Sequence, residues 1–272
     1  MHLSVGTFNV WRIGEPWRYA ADRNIVRGAV AGSAAVTMRP EGGVWRRRLP
    51  LIADVLGRAE LDLVGLQEVA DEGTGGGSAG EALSARLGMN CADQPDGRLA
   101  VLSPHKIRSS VAVALPTGEA SKEAESGYGS ASILHAVVAT PGGDTNFVVA
   151  HWSPRSASAR TGAARALVDY VARLAETRLV VVGDLNTVGP EAPELEVLRQ
   201  GARPLIDAWP TIHPQLPGYT MPSHDPVVRL DYVFLSRDLV PVEVRLLGGT
   251  PDRDGFYASD HLGVQATVRP GS

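Results

Sequence analysis

The stretch RLVVVGDLN, Arg178–Asn186, is an apolar run that turns abruptly polar at its end. Leu179–Val182 is short and rich in β-branched residues, which predicts a strand over Arg178–Gly183 buried on both faces. Gly183 and Asn186 favour a turn directly after it. Side chains alternate along an extended chain, so Asp184 and Asn186 fall on one face and Leu185 on the other. A carboxylate at the mouth of such a strand is costly to desolvate unless it is paired or binds a cation.

The same pattern recurs along the chain. LSVGTFN ends in Asn9, LDLVGLQE in Glu68 and NFVVAH in His151. Alternation puts Val64, Leu66 and Glu68 on one face, and Phe147, Val149 and His151 on one face. RLDYVFL contributes Asp231, and SDH at Ser259–His261 contributes Asp260 and His261. Each of these residues has an ordinary use by itself. Asn9 suits a turn or cap, Glu68 a surface acid, GDLN a turn, His151 a satisfied core histidine, and Asp260 the opening of a strand. Their conjunction is what points to chemistry.

Further strands are predicted at Leu3–Val10, Leu61–Val69, Leu99–Ser103, Ser110–Leu115, Ile133–Ala139, Asn146–Trp152, Val228–Leu235, Val242–Leu247 and Leu262–Val268. Leu51, Ile52, Val55, Leu56 and Ala59 have helical spacing, with Pro50 compatible only with the first turn. Ala164, Leu167, Val168, Val171 and Leu174 make one apolar stripe of a helix over Arg160–Glu176. Shorter helices fit Glu81–Leu87 and Glu191–Gln200. Many strands with a few interspersed helices indicate an α+β layered fold. No repeat or linker divides the chain, so residues 1–272 are expected to form one domain. Three loops stand apart: Arg18–Gly43, the glycine-rich Asp71–Gly80, and the polar Thr117–Ser130.

Composition narrows the function classes. Of 272 residues 44% are hydrophobic and 21% charged, ordinary globular values. The formal net charge of −4 argues against a protein whose main work is gripping long nucleic acid nonspecifically, although a nuclease with a local basic groove remains compatible. The basic cluster Arg46–Arg48 reads either as a solvated helix start or as a phosphate-facing patch. The single cysteine, Cys91, excludes an internal disulfide and a cysteine-rich metal site. No run approaches ~18 apolar residues and no leader precedes the first strand, so a cytoplasmic protein without a membrane span is expected. Oligomeric state is not legible.

TFNV (Thr7–Val10), LQEV (Leu66–Val69), AVLS (Ala100–Ser103), AHW (Ala150–Trp152), VVVGDLNT (Val180–Thr187), RLDYVFL (Arg229–Leu235) and SDHLGV (Ser259–Val264) occur in an order that resembles the endonuclease/exonuclease/phosphatase superfamily. GYT at Gly218–Thr220 also resembles this group. The resemblance spans nearly the whole chain, and the succession GDLN, DYVF, SDH is its specific part. It implies a four-layer α/β/β/α sandwich of two packed mixed β-sheets with helices outside.

The resemblance also implies roles. Glu68 matches the principal metal-binding carboxylate, with Asn9 and Asp260 nearby, an oxygen set that suits Mg²⁺, with Mn²⁺ possible and zinc disfavoured. His261 matches the active-centre histidine and Asp231 the carboxylate that orients it. Asp184 orients or deprotonates water, Asn186 hydrogen-bonds a phosphoryl oxygen, and His151 faces the scissile phosphate. The implied reaction is in-line attack of water on a phosphate ester. The sequence departs from the pattern at Gly97–Leu99, where Arg98 is a candidate to face substrate, at His135, and at the insertion 18–43. A small or non-polymeric phosphoester is favoured over nucleic acid. For a nuclease, Trp11, Arg12, Trp17, Arg18, Trp45 and Arg46 are the candidate groove wall. An inactive binding module is the non-enzymatic alternative.

Overall fold

Valine-rich strands of period two need a second apolar layer on each face, and the chain supplies three such layers. The computed structural model describes residues 2–11, 44–69, 78–95, 98–116, 131–174, 178–189 and 191–271. In chain order these form β1 (Leu3–Asn9), α1 (Val44–Ala59), β2 (Leu63–Gln67), α2 (Ala79–Leu87), β3 (Asn90–Asp93), β4 (Leu99–Ser103) and β5 (Ile107–Ala114). There follow β6 (Ser132–Thr140), β7 (Gly143–His151), α3 (Ala157–Val171), β8 (Arg178–Asp184), α4 (Pro193–Gln200) and β9 (Leu205–Asp207). The chain closes with α5 (Ala208–Ile212), β10 (Asp231–Ser236), β11 (Leu239–Leu247) and β12 (Gly263–Pro270).

One six-stranded sheet runs β11-β12-β1-β2-β4-β3 and the other β5-β6-β7-β8-β10-β9. Both are mixed, since β1–β2 and β7–β8 pair in parallel and their neighbours pair antiparallel. Between the sheets lie Val5, Leu63, Val101, Phe147, Val149, Val180, Val182, Val233 and Val264. Phe8, Val64, Leu66 and Leu102 face the other way, under Ile52 and Leu56 of α1 and Leu83 of α2. Val148, Val181 and Phe234 lie under Ala164, Leu167 and Val171 of α3 and Leu195 of α4. This is the expected α/β/β/α sandwich. None of the described helices is long and apolar enough to cross a membrane.

Several boundaries differ from expectation for local reasons. α1 begins six residues before Pro50, which lies inside the helix. Proline deletes one backbone donor there, while burial of Arg48, Ile52 and Leu56 anchors the turns on either side. α2 starts at Ala79 because Ser78 and Glu81 form a reciprocal capping box, and Ser156 caps α3 at Ala159 N–H. β3, β9 and α5 were not expected; β3 and β9 are short edge strands, too short for a periodicity. The regions 18–43, 71–77 and 117–130 lie outside the described residues, as do Arg12, Trp17, Arg18 and the side chains of Trp45 and Arg46.

Candidate active site

The inner face of the second sheet turns polar at one end. His151 on β7, Asp184 on β8 and Asp231 on β10 are direct cross-strand partners at a single level. They continue the rows Phe147–Val149, Val180–Val182 and Val233–Leu235 that fill the space between the sheets. Partners side by side on one face must touch. His151 Nε2 lies 3.6 Å from Asp184 Oδ2. His261, just before β12, enters the gap between the two aspartates. Its Nδ1 is 2.8 Å from Asp231 Oδ2 and its Nε2 3.8 Å from Asp184 Oδ2.

The first sheet supplies the opposing wall. Asn9, ending β1 and only 1% exposed, donates from Nδ2 to Glu68 Oε1 at 3.1 Å and to Asp184 Oδ2 at 3.0 Å. Its Oδ1 accepts from Trp11 N–H at 2.9 Å. One amide thus ties the two sheets together. Glu68 gets there by an unexpected route. Strand alternation would carry it after Val64 and Leu66 toward the helices, yet β2 stops at Gln67 and Glu68 adopts φ 62°. That left-handed residue, unfavourable for a side chain of this kind, turns the carboxylate back to within 3.9 Å of His151 Nε2. The shared face expected for Val64, Leu66 and Glu68 is therefore corrected.

Asn186, two residues beyond β8, adopts φ 47°. Its N–H donates to Asp184 Oδ1 at 2.9 Å and its Nδ2 to the Trp152 carbonyl at 3.0 Å. Asp260 and His261 sit in a loop braced from two sides. Ser259 Oγ donates to the Asn9 carbonyl at 2.7 Å and accepts from His261 N–H at 3.2 Å. Ser223 Oγ donates to the Ser259 carbonyl, and Ser223 N–H to the Asp260 carbonyl, each at 2.7 Å. Thr220 Oγ1 accepts from Leu230 N–H at 3.1 Å, just before Asp231. All eight residues expected at the site thus lie on strand ends and loops at one edge of the sandwich.

The model of the Endonuclease/Exonuclease/phosphatase family matches residues 6–261. The chain belongs to that family. Its members hydrolyse phosphoesters, typically with a divalent metal, and this endonuclease/exonuclease/phosphatase chain is such a hydrolase. The endonuclease/exonuclease/phosphatase of Beutenbergia cavernae is 26% identical, with a TM-score of 0.67 over 100% of this chain and 72% of that one. A D. rerio TDP2 complexed with single strand DNA product is 18% identical, with a TM-score of 0.68 over 98% and 99%. A Bacteroides thetaiotaomicron mannosyl-6-phosphatase is 15% identical, with a TM-score of 0.70 over 98% and 99%. The last two likenesses are of fold. A comparison with curated proteins finds no match.

The site of this family member gathers the kind of donors a divalent metal takes. Four carboxylates, Glu68, Asp184, Asp231 and Asp260, lie with the buried Arg48 and His261. Burial pushes Asp260 up to about 6, with Glu68 adding to the rise and His261 and Arg48 opposing it. Burial also raises Asp184, against the pull of His261. A divalent cation would offset both penalties. Two groups of residues could hold one: the oxygens of Glu68 and Asp260 beside Asn9, or Asp184, Asp231 and His261, whose ligand atoms all lie within 4.8 Å of one another. His261 is tuned toward the charged form. Burial alone would lower it, but Asp231 and then Asp184 raise it well above 6.5.

Other candidates resolve differently. His135 is 7% exposed and lies at 2.8 Å from both Tyr170 Oη and Asn146 Oδ1. It packs beneath α3, away from the site. Arg98 stays near the Glu68 turn, its carbonyl accepting from Val69 N–H at 3.4 Å. Trp11, at φ 47°, holds Asn9 and places its ring 5.2 Å from the Arg48 guanidinium. The arginine cluster divides: Arg47 is exposed at the helix start, as a solvated helix start would have it, while Arg48 is corrected. Arg48 is 0% exposed, neither a solvated helix start nor a phosphate-facing patch. Burial lowers it only to about 10, with Asp260 and Glu68 supporting its charge. Nothing in the run of three arginines distinguishes the buried one.

Proposed function

We propose that the protein is a Mg²⁺-dependent hydrolase of a small, non-polymeric phosphoester, acting by direct in-line attack of water. The observation that carries this reading is the row His151–Asp184–Asp231, faced by Asn9 and Glu68 and closed by His261. Glu68 and Asp260 would hold the metal, an all-oxygen donor set suited to Mg²⁺ or Mn²⁺. Asn9, whose Nδ2 donates to Glu68 Oε1 and Asp184 Oδ2, would border that group and hold Glu68 in place. When bound, the metal neutralises charge growing on the phosphoryl oxygens.

The chain's own groups supply the rest. Asp184 accepts a hydrogen bond from the attacking water and fixes its direction. Asp231 holds the His261 tautomer so that Nε2 faces the reacting centre and exchanges a proton there. Asn186 spends one Nδ2 hydrogen on Trp152 and offers the other to a phosphoryl oxygen. His151 donates to a non-bridging oxygen or to the leaving group.

The small-substrate preference rests on charge. Arg48 is buried and Arg47 is committed to Asp252 and Asp254, so neither builds a channel for a polymer's phosphates. Hydrolysis of bis-(p-nitrophenyl) phosphate, p-nitrophenyl phosphate and a single-stranded oligonucleotide, with Mg²⁺, Mn²⁺ or chelator, tests the whole reading. Turnover of at least one aryl ester is expected only with metal, and is abolished in folded Glu68→Ala and His261→Ala. No turnover of any ester would sink it. Preferred cleavage of the oligonucleotide would replace the substrate class and keep the chemistry.

A further inference from the structure

The two described arginine side chains at the start of α1 grip the loop before β12 at different depths. Arg47, on the surface, lies 2.8 Å from Asp254 Oδ2 and 3.5 Å from Asp252 Oδ2, its guanidinium 3.5 Å from the Phe256 ring centroid. Arg48 reaches inward. Its Nε and one terminal nitrogen donate to the Ala258 carbonyl at 3.1 and 3.0 Å. Its terminal nitrogens also donate to the Val10 and Trp11 carbonyls.

Three carbonyls from two segments remote in sequence therefore share one planar fork. Val10–Trp11 directly follows Asn9, and Ala258 is two residues before Asp260. Arg48 also interacts electrostatically with both Asp260 and Glu68. A lysine could not reproduce this, because its ammonium is a point charge without the fork's fixed directions.

We propose that Arg48 is a positioning residue of the metal centre, fixing the separation between the Asn9–Trp11 turn and the Ala258–Asp260 segment so that Glu68 and Asp260 stand ready for a divalent cation. The proposal rests on the assignment of Glu68 and Asp260 as metal ligands. It differs from a purely electrostatic role in sign. A cation beside a metal repels it, so deleting a mere charge would tighten metal binding. Deleting the fork releases the Trp11 turn, which sits at φ 47°, and weakens binding.

Calorimetric Mn²⁺ titration of the wild type, Arg48→Lys, Arg48→Gln, Arg47→Ala and Glu68→Ala tests this, with circular dichroism and thermal melts establishing folding. Wild-type binding that survives in folded Glu68→Ala, or no wild-type binding, overturns the metal assignment and this proposal with it. Binding lost in Glu68→Ala upholds the assignment and lets the Arg48 variants decide. Both are then expected to bind Mn²⁺ ~10–100-fold more weakly, the usual effect of removing a group that orients metal ligands. Arg47→Ala is expected to stay within about threefold, as for an exposed ion pair. Unchanged or tighter binding in folded Arg48 variants overturns the positioning role while the metal assignment stands. Should neither variant fold, the Arg48 Nε–H resonance of the wild type decides. It is expected to shift as Mg²⁺ saturates the protein, and a resonance that does not move overturns the role.

Discussion

Asp231 Oδ2 lies 2.8 Å from His261 Nδ1, and both side chains are almost wholly removed from water. A buried carboxylate–imidazole pair is stabilising only if its charges and hydrogen bonds are satisfied together. Here the second oxygen, Asp231 Oδ1, has no hydrogen-bond partner among the described residues. The second imidazole nitrogen faces Asp184 at 3.8 Å rather than an apolar wall. The pair is therefore held in place at a cost in desolvation, with its open side toward the site.

Asp231→Asn separates a proton-handling pair from a metal ligand. An amide fits the same space but removes the charge that keeps His261 protonated. Turnover at saturating Mg²⁺ is expected to fall ~10²–10⁴-fold, the usual worth of positioned acid–base catalysis, with Mn²⁺ affinity unchanged. If metal affinity collapses instead, the metal sits on Asp184, Asp231 and His261. If turnover stays within about threefold, the pair has no catalytic role.

How far the sequence could be read depended on what enforced each position. Two-residue alternation placed His151 and Asp184 correctly because β7 and β8 stay paired in unbroken register to their last residues. It failed at Glu68, where one left-handed residue reverses the side chain. Asn186 is left-handed as well, its N–H donating to Asp184 and its Nδ2 to the Trp152 carbonyl. Such strained conformations persist because tertiary contacts over-determine them, and among those contacts Asn9 for Glu68 and Trp152 for Asn186 come from sequence-distant segments. Arg48 was illegible for the same reason, since its acceptors are carbonyls, which every residue possesses. His135 stood out only as a departure from the family pattern, and the packing of Tyr170 from α3 shows why it is an interior histidine.

His135 makes stability pH-dependent in a defined direction. Burial lowers its pKa below 6.5, with the Asn146 hydrogen bond opposing in part. The unfolded chain therefore takes up the proton more readily than the folded one. Stability from the neutral imidazole is fully present above the unfolded value near 6.5. It is lost as pH falls below that value toward the depressed folded one. Urea midpoints of wild type and His135→Gln at about pH 7.5 and about pH 5.5 measure it, other titrating groups cancelling in the difference. The wild type is expected to lose more stability on acidification than the variant. Equal losses would show that His135 carries no share of the pH dependence.

Gly65 sets the gap between the two sheets just behind the catalytic edge. It faces inward on β2 between Leu63 and Gln67, and a Cβ there would lie 2.6 Å from Val182 Cγ2 and 2.7 Å from Val149 Cγ2. Those valines precede Asp184 and His151 by two residues on the same faces. An added methyl must therefore push β2 away from β7 and β8, carrying Glu68 from His151 and Asn9 from Asp184. Gly65→Ala is expected to destabilise the fold by ~1–3 kcal/mol, typical of overpacking. A displacement approaching 1 Å would also lower turnover by ~10²-fold. Restoring the space with Val182→Ala in the same chain should recover turnover more fully than stability, because it relieves the push but removes buried apolar surface. If Gly65→Ala loses stability yet keeps full turnover, the site tolerates a wider gap, and the contact of Asn9 Nδ2 with Asp184 is not what aligns the two walls.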